Sequence, residues 1–183
     1  MTRVGRFLRA WRHSDRFDPE VASLRTWLFD RLEAPHLWAQ PQLRSAARLA
    51  AVQALYQQEM EGTPLAPLLH EFHHHRLGAT IDGVEYAEAE IDFFDDVVAG
   101  VDARRAELDA LIAERLHGWS FDRLDKAMKA ILRAGAYELV ARADVPTGSV
   151  ISEYVDVAKA FYDKRETAFV NGLLDAIAKD VRK

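Results

Sequence analysis

The sequence predicts an all-α protein: about seven helices forming two packed small bundles, preceded by an N-terminal extension. Three observations predict it. Ala, Leu, Glu, Arg and Asp recur with a period near 3.6 residues over most of the chain. No stretch shows the apolar–polar alternation of a strand. Gly, Pro, Ser and Thr punctuate the apolar segments at short intervals.

The elements follow in order. Residues 1–41 are expected to be an Arg-rich, partly disordered extension, its first roughly 18 residues a mobile tail. Seven Arg and five acids fall within residues 1–43, whereas the other 140 residues carry 17 basic and 24 acidic side chains. Phe7, Leu8 and Trp11 beside Arg3, Arg6, Arg9 and Arg12 could line a basic amphipathic helix. Pro19 suits the first turn of a short helix over 19–33, and Pro35 and Pro41 break the chain after it. Residues 42–183 form the helical domain. Its first helix spans 42–60 with the stripe Leu49, Val52, Tyr56 and Met60, and Gly62 stops it. Thr63 caps a helix running to Arg76, with Pro64 in its first turn. GATIDG is a turn. A long helix over 84–117, bent at Gly100, comes next, and Ser120 caps the element 121–142. ADVPTG separates that element from helices at 148–162 and 166–181.

Composition excludes several classes. The absence of Cys removes disulfide scaffolds, thiol catalysis and Cys-ligated zinc. No apolar run reaches the roughly 18–20 residues that span a bilayer, and the N-terminus has no apolar signal core, so a cytoplasmic protein without membrane contact is expected. There is no phosphate-binding glycine loop and no nucleophile elbow. His73, His74 and His75 point about 100° apart on a helix and cannot share one metal. Asp95–Asp96 and Glu88–Glu90 read as a solvated acidic face. No catalytic residue, cofactor or metal is expected.

Three clusters point to binding instead. Arg44 and Arg48 are one helical turn apart, with Gln53 and Tyr56 further along. Arginine, amide and aromatic groups together suit RNA, although Tyr56 also fits a core position. In the next cluster Met128, Leu132, Gly135 and Leu139 make a buried stripe, Gly135 allowing a close helix crossing, while Lys126, Lys129 and Arg133 form a basic ridge beside it. The ridge serves equally well as a solvated face or as an RNA or protein contact. In the last cluster Phe169 sits about 100° off the stripe Val170, Leu173, Leu174, Ile177 and Val181, with Phe161, Lys164 and Arg165 just upstream. Gly172 reads as a further close-packing glycine, and Asn171 could bond a neighbouring loop or a ligand.

Four segments resemble the NusB family of bacterial antitermination factors: RSAARLAAVQALYQQEM (44–60), LDKAMKAILRAGAYEL (124–139), DVPTGSVISEYVDVAKAF (144–161) and FVNGLLD (169–175), in the family's order and spacing. The resemblance covers 44–183. It implies a two-bundle helical fold without catalysis, binding of boxA-type single-stranded RNA from ribosomal RNA leaders together with the ribosomal protein NusE, and an indirect link to elongating RNA polymerase. It implies an RNA surface of Arg44, Arg48, Gln53, Tyr56 and Phe169, with Lys159 and Phe161 nearby. Ser45, Ala46 and Ala47 stand where many members continue a basic run, which lowers the expected phosphate contribution of this helix. Two alternatives stand beside this reading. One is a module like the front domain of ribosomal-RNA cytosine methyltransferases, which needs a methyl-donor domain and a catalytic Cys. The other is a homodimer that masks the RNA face.

Overall fold

The computed structural model describes residues 43–182, apart from 78, 79, 82, 83, 86–88, 117 and 119. The extension, its expected helix at 19–33 and the linker after it lie outside the described residues. Seven α-helices are present among those described: α1 (Leu43–Glu61), α2 (Leu65–His75), α3 (Ile91–Ala103), α4 (Arg105–Ala113), α5 (Lys126–Ala141), α6 (Thr147–Ala158) and α7 (Lys164–Val181). None is long and apolar enough to cross a membrane.

Helix α5 organises the rest. Every residue from 131 to 139 is buried, because α1, α3 and α4 pack on one side and α6 and α7 on the other. A helix covered all round reads as near-continuous apolar sequence, as AILRAGAYELV does. Gly135 provides the expected close crossing: a Cβ there would stand 2.9 Å from a Leu174 methyl and 3.3 Å from the Tyr154 ring. Asp125 caps α5 by accepting from the Met128 N–H at 2.8 Å, so the cap is Asp125 rather than the expected Ser120. Ser120 instead precedes a single 3-10 turn, Phe121–Arg123.

At the other end of α5 the last carbonyls lack intrahelical donors. Arg182 fills that need from the end of α7, donating to the carbonyls of Glu138 (2.9 Å), Leu139 (2.7 Å), Arg142 (2.7 Å) and Val145.

Four further expectations are corrected. The segment 84–117 is not one helix. Val84–Glu85 pairs antiparallel with Thr80–Ile81 as a minimal hairpin, and the helix that follows breaks at Arg104, not at Gly100. Gly100 lies within α3, and its missing side chain makes room for Tyr137: a Cβ there would lie 2.0 Å from the Tyr137 ring. Thr63 does not cap α2; Pro64 occupies that position and Thr63 Oγ1 donates to Glu61 at 3.3 Å. Gly172 faces open space and is not a packing glycine.

The two glycines therefore differ in sign. Gly100→Ala should lower stability by about 1–3 kcal/mol, since displacing Tyr137 overpacks the core and breaks its 2.9 Å bond to Asp96. Gly172→Ala should raise stability by up to about 1 kcal/mol through helix propensity. Urea unfolding of both variants checks this, and a harmless Gly100→Ala would refute the packing account.

Candidate nucleic-acid interface

Helix directions divide the expected binding residues between two ends of the bundle. Helix α1 runs antiparallel to α5: Arg48 near its start meets Glu138 near the end of α5, and Glu59 near its end meets Arg133 earlier in α5. Helix α7 runs parallel to α5, with Leu174 beside Gly135 and Arg182 beside Leu139. Tyr56, Phe169 and the N-terminus of α5 consequently share one end. Arg44 and Arg48 belong to the other.

At the Arg44 end the cations are spent on the protein itself. Arg44 is half-exposed, donates to both carboxylate oxygens of Glu90 at 2.7 and 3.2 Å, and lies 3.8 Å from Asp144. The hydrogen bond from Arg44 holds the Glu90 carboxyl below its ordinary range, and that from Arg142 holds Asp144 down to about 2. Arg48 is only 4% exposed. Its guanidinium grips the fully buried Glu138 in bidentate fashion, with Nε at 2.9 Å, and reaches Glu153 on α6 at 3.3 Å. Burial works against the Arg48 charge, but the hydrogen bonds and charge of Glu138 outweigh it and leave its pKa raised. Arg44, Arg48 and Arg142 all stand over the Phe93 ring, at 5.3, 5.0 and 5.1 Å. The expectation that Arg48 projects beside the core stripe to hold phosphates is thus corrected: it is a buried tie between α1, α5 and α6.

Arg133 is corrected for the same reason. It does not continue a basic ridge but sinks between Asp109 (2.7 and 2.9 Å) and Glu59 (2.9 Å). Lys126 is exposed, and Lys129 lies 5.3 Å over the Phe121 ring with Nζ 3.5 Å from the Asp122 carbonyl.

The opposite end holds a pocket of about 390 Å³ between the N-termini of α5 and α7. That lies within the range of small-ligand sites. Phe169 lines it with Leu124, Met128, Glu166 and the exposed Arg123 and Arg165. Phe169 is half-buried and packs its other side on the core, the geometry of a ring that presents a surface without wandering. Asp163 accepts from the Arg165 N–H at 2.8 Å and starts α7 beside the pocket. The Tyr162 hydroxyl donates at 2.5 Å to the same Asp125 oxygen that caps α5, so the loop after α6 is tied to the pocket wall. That tie places Phe161, edge-on to Tyr162 with ring centroids 6.3 Å apart, next to the pocket's loop. Lys159 is exposed and pairs with Asp156 at 2.7 Å; Lys164 is exposed. Tyr56 and Gln53 are half-buried on α1, and Tyr56 also packs on the core.

The structure therefore brings Phe169 and Arg165 to one pocket, with Lys164 at the start of α7 and Phe161 in the loop before it, and Tyr56 towards the same end, while Arg44 lies at the other end. Sequence reasoning missed Arg123, Asp125, Tyr162 and Glu138. Glu138 had a signal: it is the one acid inside the otherwise apolar run 130–140, apart from Arg133 the only charge there, and a buried acid needs a buried cation.

A helical bundle with an aromatic, cation-rimmed mouth and a charge-locked far end is the architecture of a small binding adaptor. The chain belongs to the NusB family of transcription antitermination factors, which are not enzymes: the family's model matches residues 45–179. It is 69% identical over 143 residues to the transcription antitermination protein NusB of Sphingopyxis alaskensis, covering 78% of this chain and 96% of that protein. It is 49% identical over 142 residues to the NusB of Caulobacter vibrioides, covering 77% and 95%. Among solved structures, T. maritima NusB superposes with a TM-score of 0.64 at 30% identity over 76% of this chain and 93% of that one. A chain from a crystal structure of the antitermination factors NusB and NusE in complex with double-stranded RNA gives 0.64 at 27% identity over 77% and 99%.

Removing one partner of the buried pair leaves the other charge stranded. Arg48→Ala should therefore cost about 3–5 kcal/mol of stability, measured by urea unfolding. If Arg48 were a surface phosphate ligand, the same change would leave stability within about 0.5 kcal/mol.

Proposed function

We propose that this chain acts in the cytoplasm as a transcription antitermination factor that binds boxA-type single-stranded RNA of ribosomal RNA leaders together with NusE. The bound RNA then links the pair to elongating RNA polymerase. The observation that carries the site assignment is the pocket between α5 and α7, which one half-buried ring, Phe169, and two exposed arginines, Arg123 and Arg165, line together.

The chemistry follows from that arrangement. An unpaired base can stack on Phe169, and Arg165, Lys164 and Arg123 can neutralise the phosphates on either side. Tyr56 and Phe161 extend the aromatic surface, and Gln53 supplies an amide that can read a base edge. Lys126, Lys129 and Lys159 can add positive charge for the flanking strand. Arg44 is half-exposed at the far end and can exchange Glu90 for a phosphate at the cost of its ion pair. Arg48 and Arg133 act by holding the helices. The RNA-binding unit is residues 42–183, with 1–41 an Arg-rich extension to it. The many carboxylates on the body suit a basic ribosomal protein as partner and raise its rate of encounter.

Stacking contributes roughly 1–3 kcal/mol per base, so Phe169→Ala should weaken RNA binding about 5–150-fold. Fluorescence anisotropy with a labelled boxA-type single strand, with and without NusE, measures it. A duplex of the same sequence is the comparison arm. Undiminished affinity in a variant with native circular dichroism would reject the stacking role. Light scattering in the same titration separates an adaptor from a masked homodimer, which would keep its mass and show no RNA shift.

A further inference from the structure

We propose that His70 and His74 form a two-imidazole site for a borderline divalent transition-metal ion, such as Zn²⁺, on the outer face of α2. The three consecutive histidines of the sequence do not do this. His73 turns inward, 2.6 Å from Asp95 Oδ1 and edge-on to Phe94, and the His75 ring lies 6.3 Å from that of His74. His70 and His74 are one turn apart on one face, both exposed, with ring centroids 4.1 Å apart and planes 21° from parallel.

A second observation sets up the ligand atoms. His74 Nδ1 lies 2.8 Å from the His70 carbonyl oxygen. A carbonyl only accepts, so Nδ1 is the donor in this contact, and Nε2 is the ring nitrogen left over for a ligand on this exposed side chain. Metal-binding imidazoles are characteristically oriented in this way, with the other ring nitrogen donating to a carbonyl or carboxylate. The stacked rings have to unstack to share an ion, and the imidazole torsion about Cβ–Cγ is broad enough for the exposed His70 ring to turn towards one.

The remaining positions go to water. Glu71, the nearest acid on α2, is engaged with Gln57 at 2.9 Å and Arg76 at 3.5 Å. Among the described residues no group of three or more His, Asp or Glu is arranged to hold a metal. A two-ligand site is open and exchangeable, unlike the closed four-ligand sites that zinc uses to hold folds together. Imidazole donors favour Zn²⁺, Cu²⁺ and Ni²⁺ over Mg²⁺ or Ca²⁺.

The test is isothermal titration of the untagged full chain with ZnCl₂ in a non-coordinating buffer. His70→Ala and His74→Ala should each weaken Zn²⁺ binding about tenfold or more, while His75→Ala stays within about twofold. Zn²⁺ should also raise the Tm of the wild type, because bridging one turn of α2 favours the folded state, and should not do so in His74→Ala. Absence of Zn²⁺ binding, affinity that survives both substitutions, or an equal loss in His75→Ala would overturn the proposal. MgCl₂ in place of ZnCl₂ should give no heat at this site, and equal binding of both ions would also overturn it.

Discussion

The buried contact between Arg48 and Glu138 is the constraint on which the architecture turns. Two charges are taken out of water between helices that are 90 residues apart in sequence. Either one alone would be intolerable there, so α1 can dock on α5 only where the two meet. Glu153 then draws α6 to the same guanidinium, and one side chain sets the position of three helices. Apolar packing supplies the drive for association, but it is non-directional and would tolerate a slide by one turn. The ion pair does not tolerate it.

The same use of arginine recurs through the body. Arg133 joins α5 to α4 and α1, Arg142 joins the end of α5 to α3 through Asp96, and Arg182 closes the last turn of α5 from α7. Guanidinium groups suit this work because their planar donor fork satisfies two carboxylate oxygens or several carbonyls at once. The consequence for the surface is a division of labour. Where these ties concentrate, the basic side chains already face acids of the same chain. Where α5 and α7 both begin, Asp125 and Asp163 cap the helices by accepting from backbone N–H groups, and a pocket opens between them.

Much of this was legible in the sequence. The all-helical body, the close crossing at Gly135 and the off-stripe position of Phe169 follow from periodicity and one conspicuous glycine. Other features were not legible because their causes are tertiary. Nothing local distinguishes Gly100, which yields to Tyr137, from Gly172, which meets nothing. Arg44 and Arg48 carry the same local pattern, yet one is half-exposed and the other sealed, since only the second faces a buried acid brought from far along the chain. The basic ridge on α5 failed on the same ground. The position i+7 from Lys126 is on the ridge's face, but α1 and α4 cover that part of the helix and not its start. The break at Arg104 also escaped pattern reading, because the hydrophobic period continues across it while the backbone of one residue leaves the helical region.

These placements bear on how an RNA strand can be held. Affinity that arises from displaced counterions scales with the number of cations able to meet phosphates. Arg48 and Arg133 cannot do so without dismantling the helix packing, and Arg44 must first give up Glu90. At the proposed site the phosphate contacts therefore fall to Arg123, Lys164 and Arg165 rather than to these buried arginines, and stacking on Phe169 adds to them. Stacking is tolerant of base identity, so selectivity has to come from groups that read edges or from a second protein that completes the surface. In the proposed reading, a partner that completes the surface therefore supplies the selectivity that stacking alone lacks.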